Sequence, residues 1–158
     1  MQIHVAPAQP DDAPVIAEMV GELLGEIMAA IGTQAFGFHQ GDTEARAHAW
    51  LKRQCYTVLL ARAAAGGAVL GFLALYESYA LYAEGAFGTI PELFVRPASR
   101  SCGVGRALLA EAKRIGQSRG WTRLEVTTPP LPQFDRTLAF YRQQGFCISG
   151  GRKLKVDL

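Results

Sequence analysis

Two consecutive segments of this chain hold the residues best suited to chemistry. Pro91-Glu92-Leu93-Phe94-Val95-Arg96-Pro97 reads as a strand that stops at a proline, and Arg100-Ser101-Cys102-Gly103-Val104-Gly105-Arg106 turns from it into the start of a helix. Glycines let a backbone approach a ligand closely, and free amides at a helix N-terminus, with the dipole behind them, favour an anion. A pyrophosphate suits such a loop. Arg100 and Arg106 flank it and have the charge to reach phosphate oxygens. Glu92, one residue before the apolar run, falls on the strand face opposite Leu93 and Val95. There it either serves a reaction, as a base or an ammonium ligand, or pairs with Arg96 as an ordinary surface carboxylate. Cys102 lies beside the loop glycines without a nearby histidine and reads as a small residue, not a nucleophile.

The elements that must hold these residues follow from hydrophobic periodicity. Ile3 to Pro7 reads as an edge strand. Asp11-Asp12-Ala13-Pro14 starts a helix whose core stripe is Ile16, Met19, Val20, Leu23 and Ile27, with Glu18, Glu22 and Glu26 forming a second, acidic row. Gly32 to Gly41 reads as a loop, and Asp42-Thr43 caps a second helix. Three antiparallel strands are expected over Tyr56 to Ala61, Val69 to about Tyr82 and Phe87 to Val95. Beyond Pro97, Val104, Leu108, Ala112 and Ile115 share a helix face, with Gly120 past its end. A short strand over Leu124 to Thr127, a stiff Pro129-Pro130-Leu131-Pro132 connection and a helix from Phe134 to Gln144 follow. Leu154, Val156 and Leu158 then alternate with polar residues as a last strand. The order β-α-α-β-β-β-α-β-α-β implies an α/β (α+β) domain with one mixed sheet, and no repeat or linker divides residues 1–158.

Composition narrows the functional classes. With 49% apolar and 19% charged residues the 158-residue chain has the make-up of an ordinary globule long enough for one core. No apolar run approaches the roughly 18 residues that span a bilayer, and the expectation is a cytoplasmic protein without a membrane partner. Three scattered cysteines, Cys55, Cys102 and Cys147, read as reduced thiols, and neither they nor His4, His39 and His48 have metal-ligand spacing. The net charge of +2 conceals a split: residues 1–50 hold seven acids and one base, the remainder fifteen bases and seven acids. Seven of those bases fall between Arg96 and Arg123 with a single acid, Glu111. A nucleic-acid partner has charge in its favour but no recognised reading motif.

Three phosphate-binding loops compete. A nucleoside-triphosphate loop needs Gly-Lys followed by Ser or Thr, where the chain has Gly105-Arg106-Ala107. A dinucleotide fingerprint needs a third small residue where Leu108 stands. The third is an acetyl-CoA loop, and here the likeness is specific. Arg-x-x-Gly-x-Gly at residues 100–105, after the Leu93-x-Val95-x-Pro97 strand end, resembles the coenzyme A signature of the GCN5-related N-acetyltransferases (GNAT family). Phe140-Tyr141-Arg142-Gln143-Gln144-Gly145-Phe146 is similar to that family's Phe-Tyr-x-x-x-Gly-Phe block, and the element order matches over the whole chain. Gly71-Phe72, the hairpin aromatics Tyr76, Tyr79 and Tyr82, and the Lys155 strand are also similar to the branch that acetylates diamines and polyamines.

The resemblance implies the acyl-CoA N-acyltransferase fold and an acetyl-CoA-dependent N-acetyltransferase, with acetyl-CoA as cosubstrate and no metal. The acceptor would be a small primary or polyamine-like amine, or else a protein lysine, attacking directly in a ternary complex. An alkyl amine with a pKa near 10.4 must first lose a proton, which makes Glu92 the candidate base or ammonium ligand. The leaving thiolate needs an acid, and Tyr141 is the candidate because the family places this tyrosine beside the sulfur. Backbone groups of Phe94 and Val95 would meet the thioester and pantetheine, and Arg100, Ser101, Cys102, Gly103, Val104, Gly105 and Arg106 would bind the cofactor. Glu22 and Glu26 of the first helix and Glu77 and Tyr79 of the hairpin would bind the acceptor. A homodimer is a family expectation. Two departures are plain: Pro91 stands where many relatives have a first acid, and Thr127-Thr128-Pro129-Pro130 where an asparagine is common. They motivate the competing reading of a non-catalytic acyl-CoA sensor with the same fold.

Overall fold

The computed structural model describes residues 1–158, which form two compact units, Met1–Thr127 and Thr128–Leu158. The first contains β1 (His4–Pro7), α1 (Ala13–Ile31), α2 (Gln40–Lys52), β2 (Thr57–Arg62), β3 (Val69–Ala80), β4 (Gly85–Ile90), β5 (Leu93–Val95), α3 (Val104–Ser118) and β6 (Leu124–Val126). Its sheet runs β1-β2-β3-β4-β6, with β5 pairing β3. All pairings are antiparallel except β4 with β6, where Gly88↔Leu124, Thr89↔Glu125 and Ile90↔Val126 run parallel. The expected mixed α/β architecture is present.

Local chemistry explains where the helices begin and end. Pro14 sits in the first turn of α1, and Gly32 closes it with φ +67°, its N–H donating to the Met28 carbonyl at 2.9 Å. The cap of α2 differs from the expected Asp42-Thr43: His39 is the N-cap, and its Nδ1 accepts the Asp42 N–H at 3.3 Å. A ring nitrogen substitutes there for the usual side-chain oxygen. Helix α3 buries Val104, Leu108, Ala112 and Ile115 as its periodicity requires.

Alternation along the strands divides the core. Val58, Leu60, Phe72, Ala74 and Phe94 pack with Ile16, Met19 and Leu51 of α1 and α2. The intervening Leu59, Leu73 and Leu75 are equally buried and point to the face that α3 covers.

The expected strand from Phe87 to Val95 is broken. Pro91 has no N–H for a ladder, so β4 ends at Ile90 after accompanying β6, and β5 restarts at Leu93 against β3 alone. Gly71 admits this close pairing, because a Cβ there would stand 2.5 Å from the Phe94 carbonyl oxygen.

The second unit contains α4 (Asp135–Gln143). Asp135 occupies its first turn instead of capping it, since Phe134 is the N-cap. The expected last strand does not form: residues 147–158 adopt neither helix nor strand, and Leu154, Val156 and Leu158 are almost fully exposed. Alternation specifies which face a strand buries but supplies no partner, and an unpaired short segment has no ladder to stabilise it.

Candidate active site

The break at Pro91 creates an open sheet edge. Ala74 donates its N–H to the Glu92 carbonyl and Arg96 donates to the Leu70 carbonyl, both at 2.9 Å, bracketing the pair Phe72↔Phe94. Antiparallel alternation therefore directs the backbone groups of Glu92, Phe94 and Arg96 at β3 and those of Leu93 and Val95 away from it. No strand meets them there. Of the two residues expected to offer backbone contacts, Val95 faces this edge. Phe94 spends its polar groups in the ladder and its side chain in the core, at 4% exposure, and Leu93 stands in its place.

Downstream, the chain makes a 3-10 turn over Pro97–Ser99 and passes through left-handed conformations at Ser101 (φ +60°) and Gly103 (φ +86°). Gly103 is the N-cap of α3 and has no side chain to cap it. The first intrahelical bond runs from the Ala107 N–H to the Gly103 carbonyl at 3.0 Å, which leaves the amides of Val104, Gly105 and Arg106 without helical acceptors. With the helix dipole behind them they fit a pyrophosphate. Arg106 is exposed on this first turn and forms none of the chain's ion pairs. Arg100 is engaged: its Nε donates to the Val95 carbonyl at 2.9 Å, and its two terminal nitrogens grip Glu26 at 2.9 and 2.6 Å. Cys102 is an exposed free thiol.

Glu92 is half-buried and does not pair with Arg96. The Tyr56 hydroxyl donates to its Oε2. Burial raises the Glu92 pKa, and the Tyr56 hydrogen bond opposes the rise in part. The same burial, together with the neighbouring carboxylate, pushes the Tyr56 phenol well above its ordinary value. Tyr56 stacks on Tyr76 with ring centroids 6.2 Å apart and meets Trp50 at 5.2 Å. Glu92 and Tyr56 line a pocket of about 200 Å³ whose walls include Phe38, Trp50, Phe72 and aliphatic side chains of α1, with Arg46 among its lining.

The four expected acceptor ligands lie elsewhere. Glu22 and Glu18 both bind the Arg96 guanidinium at 2.9 Å, and Glu26 holds Arg100. The acidic row of α1 thus neutralises arginines of the same unit. Glu77 accepts hydrogen bonds from Tyr79 (2.5 Å) and Trp121 (2.7 Å), which lower its pKa. Strand alternation puts Glu77 and Tyr79 on the sheet face opposite Ala74 and Tyr76, away from the pocket.

In the second unit, Tyr141 is 5% exposed between Phe140 and Phe146, whose ring centroids stand 5.5 and 5.4 Å from its own. Burial pushes its phenol up to about 12, so it is protonated at neutral pH. No group of histidines, cysteines and carboxylates is arranged to hold a metal ion.

Sequence reasoning missed Leu93, Tyr56 and Trp50. The first is recoverable from register, since an open edge exposes alternate residues. The others come from α2 and from the residue just before β2, and only tertiary packing brings them to Glu92.

The fold has known counterparts. The chain is similar in fold to a ribosomal-protein-alanine N-acetyltransferase from Brucella melitensis biovar Abortus 2308, with 17% identity, full coverage of both chains and a TM-score of 0.74. It is similar also to a transcriptional regulator from Bacillus halodurans C-125, with 22% identity over 99% of this chain and 100% of that one and a TM-score of 0.79. The aminoglycoside acetyltransferase meta-AAC0020 from an uncultured soil metagenomic sample gives 17% identity over 99% and 96% of the two chains and a TM-score of 0.75. No curated protein sequence matches. The family model for the acetyltransferase (GNAT) family matches residues 24–146, a span that includes the open edge, the amide-lined loop and the Tyr141 block, and the chain belongs to that family.

Proposed function

We propose that the protein transfers the acetyl group of acetyl-CoA directly to a primary amine in a ternary complex. The observation that carries this reading is the continuity of three features in one unit: a half-buried carboxylate at Glu92, the edge of Leu93 and Val95 that no strand pairs with, and the uncapped N-terminus of α3. The pyrophosphate lies on the amides of residues 104–106, with Arg106 beside it and Arg100 released from Glu26 to join it. Pantetheine runs along the open edge as a strand would. Glu92 takes a proton from the ammonium, directly or through a water. The amine nitrogen then attacks the thioester carbonyl, the C–N bond forms, and the oxyanion is held by a backbone amide of the edge. As the C–S bond breaks, Tyr141, a phenol at neutral pH, gives its proton to the thiolate, and the nitrogen sheds its second proton, which returns Tyr141 to the phenol, while Glu92 releases the first to solvent.

The distribution of charge disfavours a nucleic-acid partner, because Arg96, Arg114 and Arg123 are each already paired with carboxylates. No helix is long and apolar enough to cross a membrane. The test is release of CoA from acetyl-CoA over a broad panel of amines, with DNA as a control competitor. Turnover that CoA inhibits and DNA does not supports the reading. CoA binding without turnover on any amine overturns it in favour of an acyl-CoA sensor.

A further inference from the structure

The pocket beside Glu92 has a chemistry of its own. At about 200 Å³ it is smaller than the roughly 300–1,000 Å³ of sites for drug-sized ligands, while an apolar cavity of about 150 Å³ suffices for benzene. Its walls are aromatic and aliphatic, and Glu92 is the single carboxylate among its lining residues. The carboxylates of α1 are committed to Arg96 and Arg100. Arg46, the single basic residue in the lining, has no carboxylate partner. A first ammonium therefore finds Glu92 and the aromatic faces of Tyr56 and Trp50, whereas a second finds no counter-ion and meets a like charge.

We propose that the acceptor is a monoamine with an apolar body about the size of a phenyl ring and a short alkyl arm, its nitrogen at Glu92 and its body between α1, α2 and β2. This rests on the N-acetyltransferase reading and narrows it: diamines, polyamines and aminoglycosides are excluded by charge, the last also by size. A lysine side chain has the right ammonium, but its thin stem leaves most of the aromatic pocket unfilled.

The deciding experiment is calorimetric binding to the CoA-loaded protein of phenylethylamine, n-hexylamine, the α,ω-diamine of the same six-carbon chain, spermidine, kanamycin and a lysine tripeptide, alongside CoA release for each. Phenylethylamine should bind at least about tenfold more tightly than every other member of the panel, and n-hexylamine more tightly than the diamine of its own length. Trp50→Ala and Phe38→Ala, both at partly exposed positions, should weaken phenylethylamine about tenfold and spermidine, which leaves the apolar walls unfilled, by less. Arg46→Glu, at an exposed position, should close the gap between the diamine and n-hexylamine. Equal binding of that matched pair in the unsubstituted protein, or preference for spermidine, kanamycin or the peptide, overturns the proposal. Failure of the parent reading looks different: monoamines bind in the expected order and none releases CoA. Conversely, CoA release driven by kanamycin alone refutes the monoamine and leaves the transferase standing.

Discussion

At the scale of the residue, Glu92 is placed where its ionised form is unfavourable and useful. Its folded pKa is raised by burial, so the folded protein binds a proton more tightly than the unfolded chain. Stability conferred by the protonated form is present below the unfolded carboxyl pKa and is lost as pH rises through the folded one. Glu92→Gln keeps an acceptor for the Tyr56 hydroxyl and does not titrate. Its midpoint in urea should match the parent protein at acid pH and exceed it at neutral pH, while kcat/KM falls about 10²–10⁴-fold. The acid limb of the parent pH–rate profile should lie above the ordinary carboxylate range. A variant less stable than the parent at neutral pH would mean that the Tyr56 hydrogen bond outweighs desolvation. Tyr141 calls for the opposite pattern. No hydrogen bond contributes to its shift, which burial alone causes, so Tyr141→Phe should change stability by less than about 1 kcal/mol and lower kcat by about 10²-fold or more with CoA affinity intact. With the phenol held up to about 12, its deprotonation should leave no alkaline limb at pH values where an ordinary tyrosine titrates.

At the scale of the element, the site depends on β5 leaving its neighbour. Gly71 is the position that tests this. A Cβ there meets backbone, the Phe94 carbonyl oxygen at 2.5 Å and the Val95 Cα at 3.0 Å, and backbone cannot yield as a flexible side chain can. Gly71→Ala should cost about 1–3 kcal/mol and weaken CoA binding more than any exposed loop substitution, measured by denaturation and by calorimetry. Unchanged CoA affinity would show that the edge of β5 is not the pantetheine track. Element scale is also where the sequence was most and least informative. The loop from Arg100 to Arg106 announces its chemistry, because glycines and a helix start are local signals. The break in the strand after Ile90 is signalled by Pro91 yet reads as one run when hydrophobicity alone is followed. Tyr56 and Trp50 carry no local mark, since their meaning comes from β2 and α2 converging on Glu92. The alternation of Leu154 to Leu158 satisfies the strand pattern and still forms none, because pairing is a property of two segments.

At the scale of the whole chain, the split between an acidic first third and a basic remainder loses much of its force on folding. Glu18 and Glu22 are consumed by Arg96, Glu26 by Arg100 and Asp12 by Arg62. The field that meets an anionic cofactor is thus weaker than the residue count suggests and is concentrated where a cation keeps no carboxylate, at Arg106, next to the amides of α3. Two substitutions separate these contributions. Arg106→Gln removes an exposed charge, so it should weaken CoA binding about tenfold at low ionic strength. That deficit should shrink as salt rises from about 0.01 M, where charges act over roughly 30 Å, to about 1 M, where they act over roughly 3 Å. Glu26→Gln acts in the other direction. It removes the carboxylate that competes with phosphate for Arg100, and exposed pairs contribute about 0.2–1 kcal/mol, so CoA should bind up to about fivefold more tightly. Titrations of both variants and the parent across that salt range decide the matter. If Glu26→Gln weakens CoA binding, the ion pair with Arg100 positions the loop instead of competing for it. If the Arg106→Gln deficit is undiminished by salt, Arg106 acts through a desolvated contact, and the amide cradle is less exposed than its uncapped geometry implies.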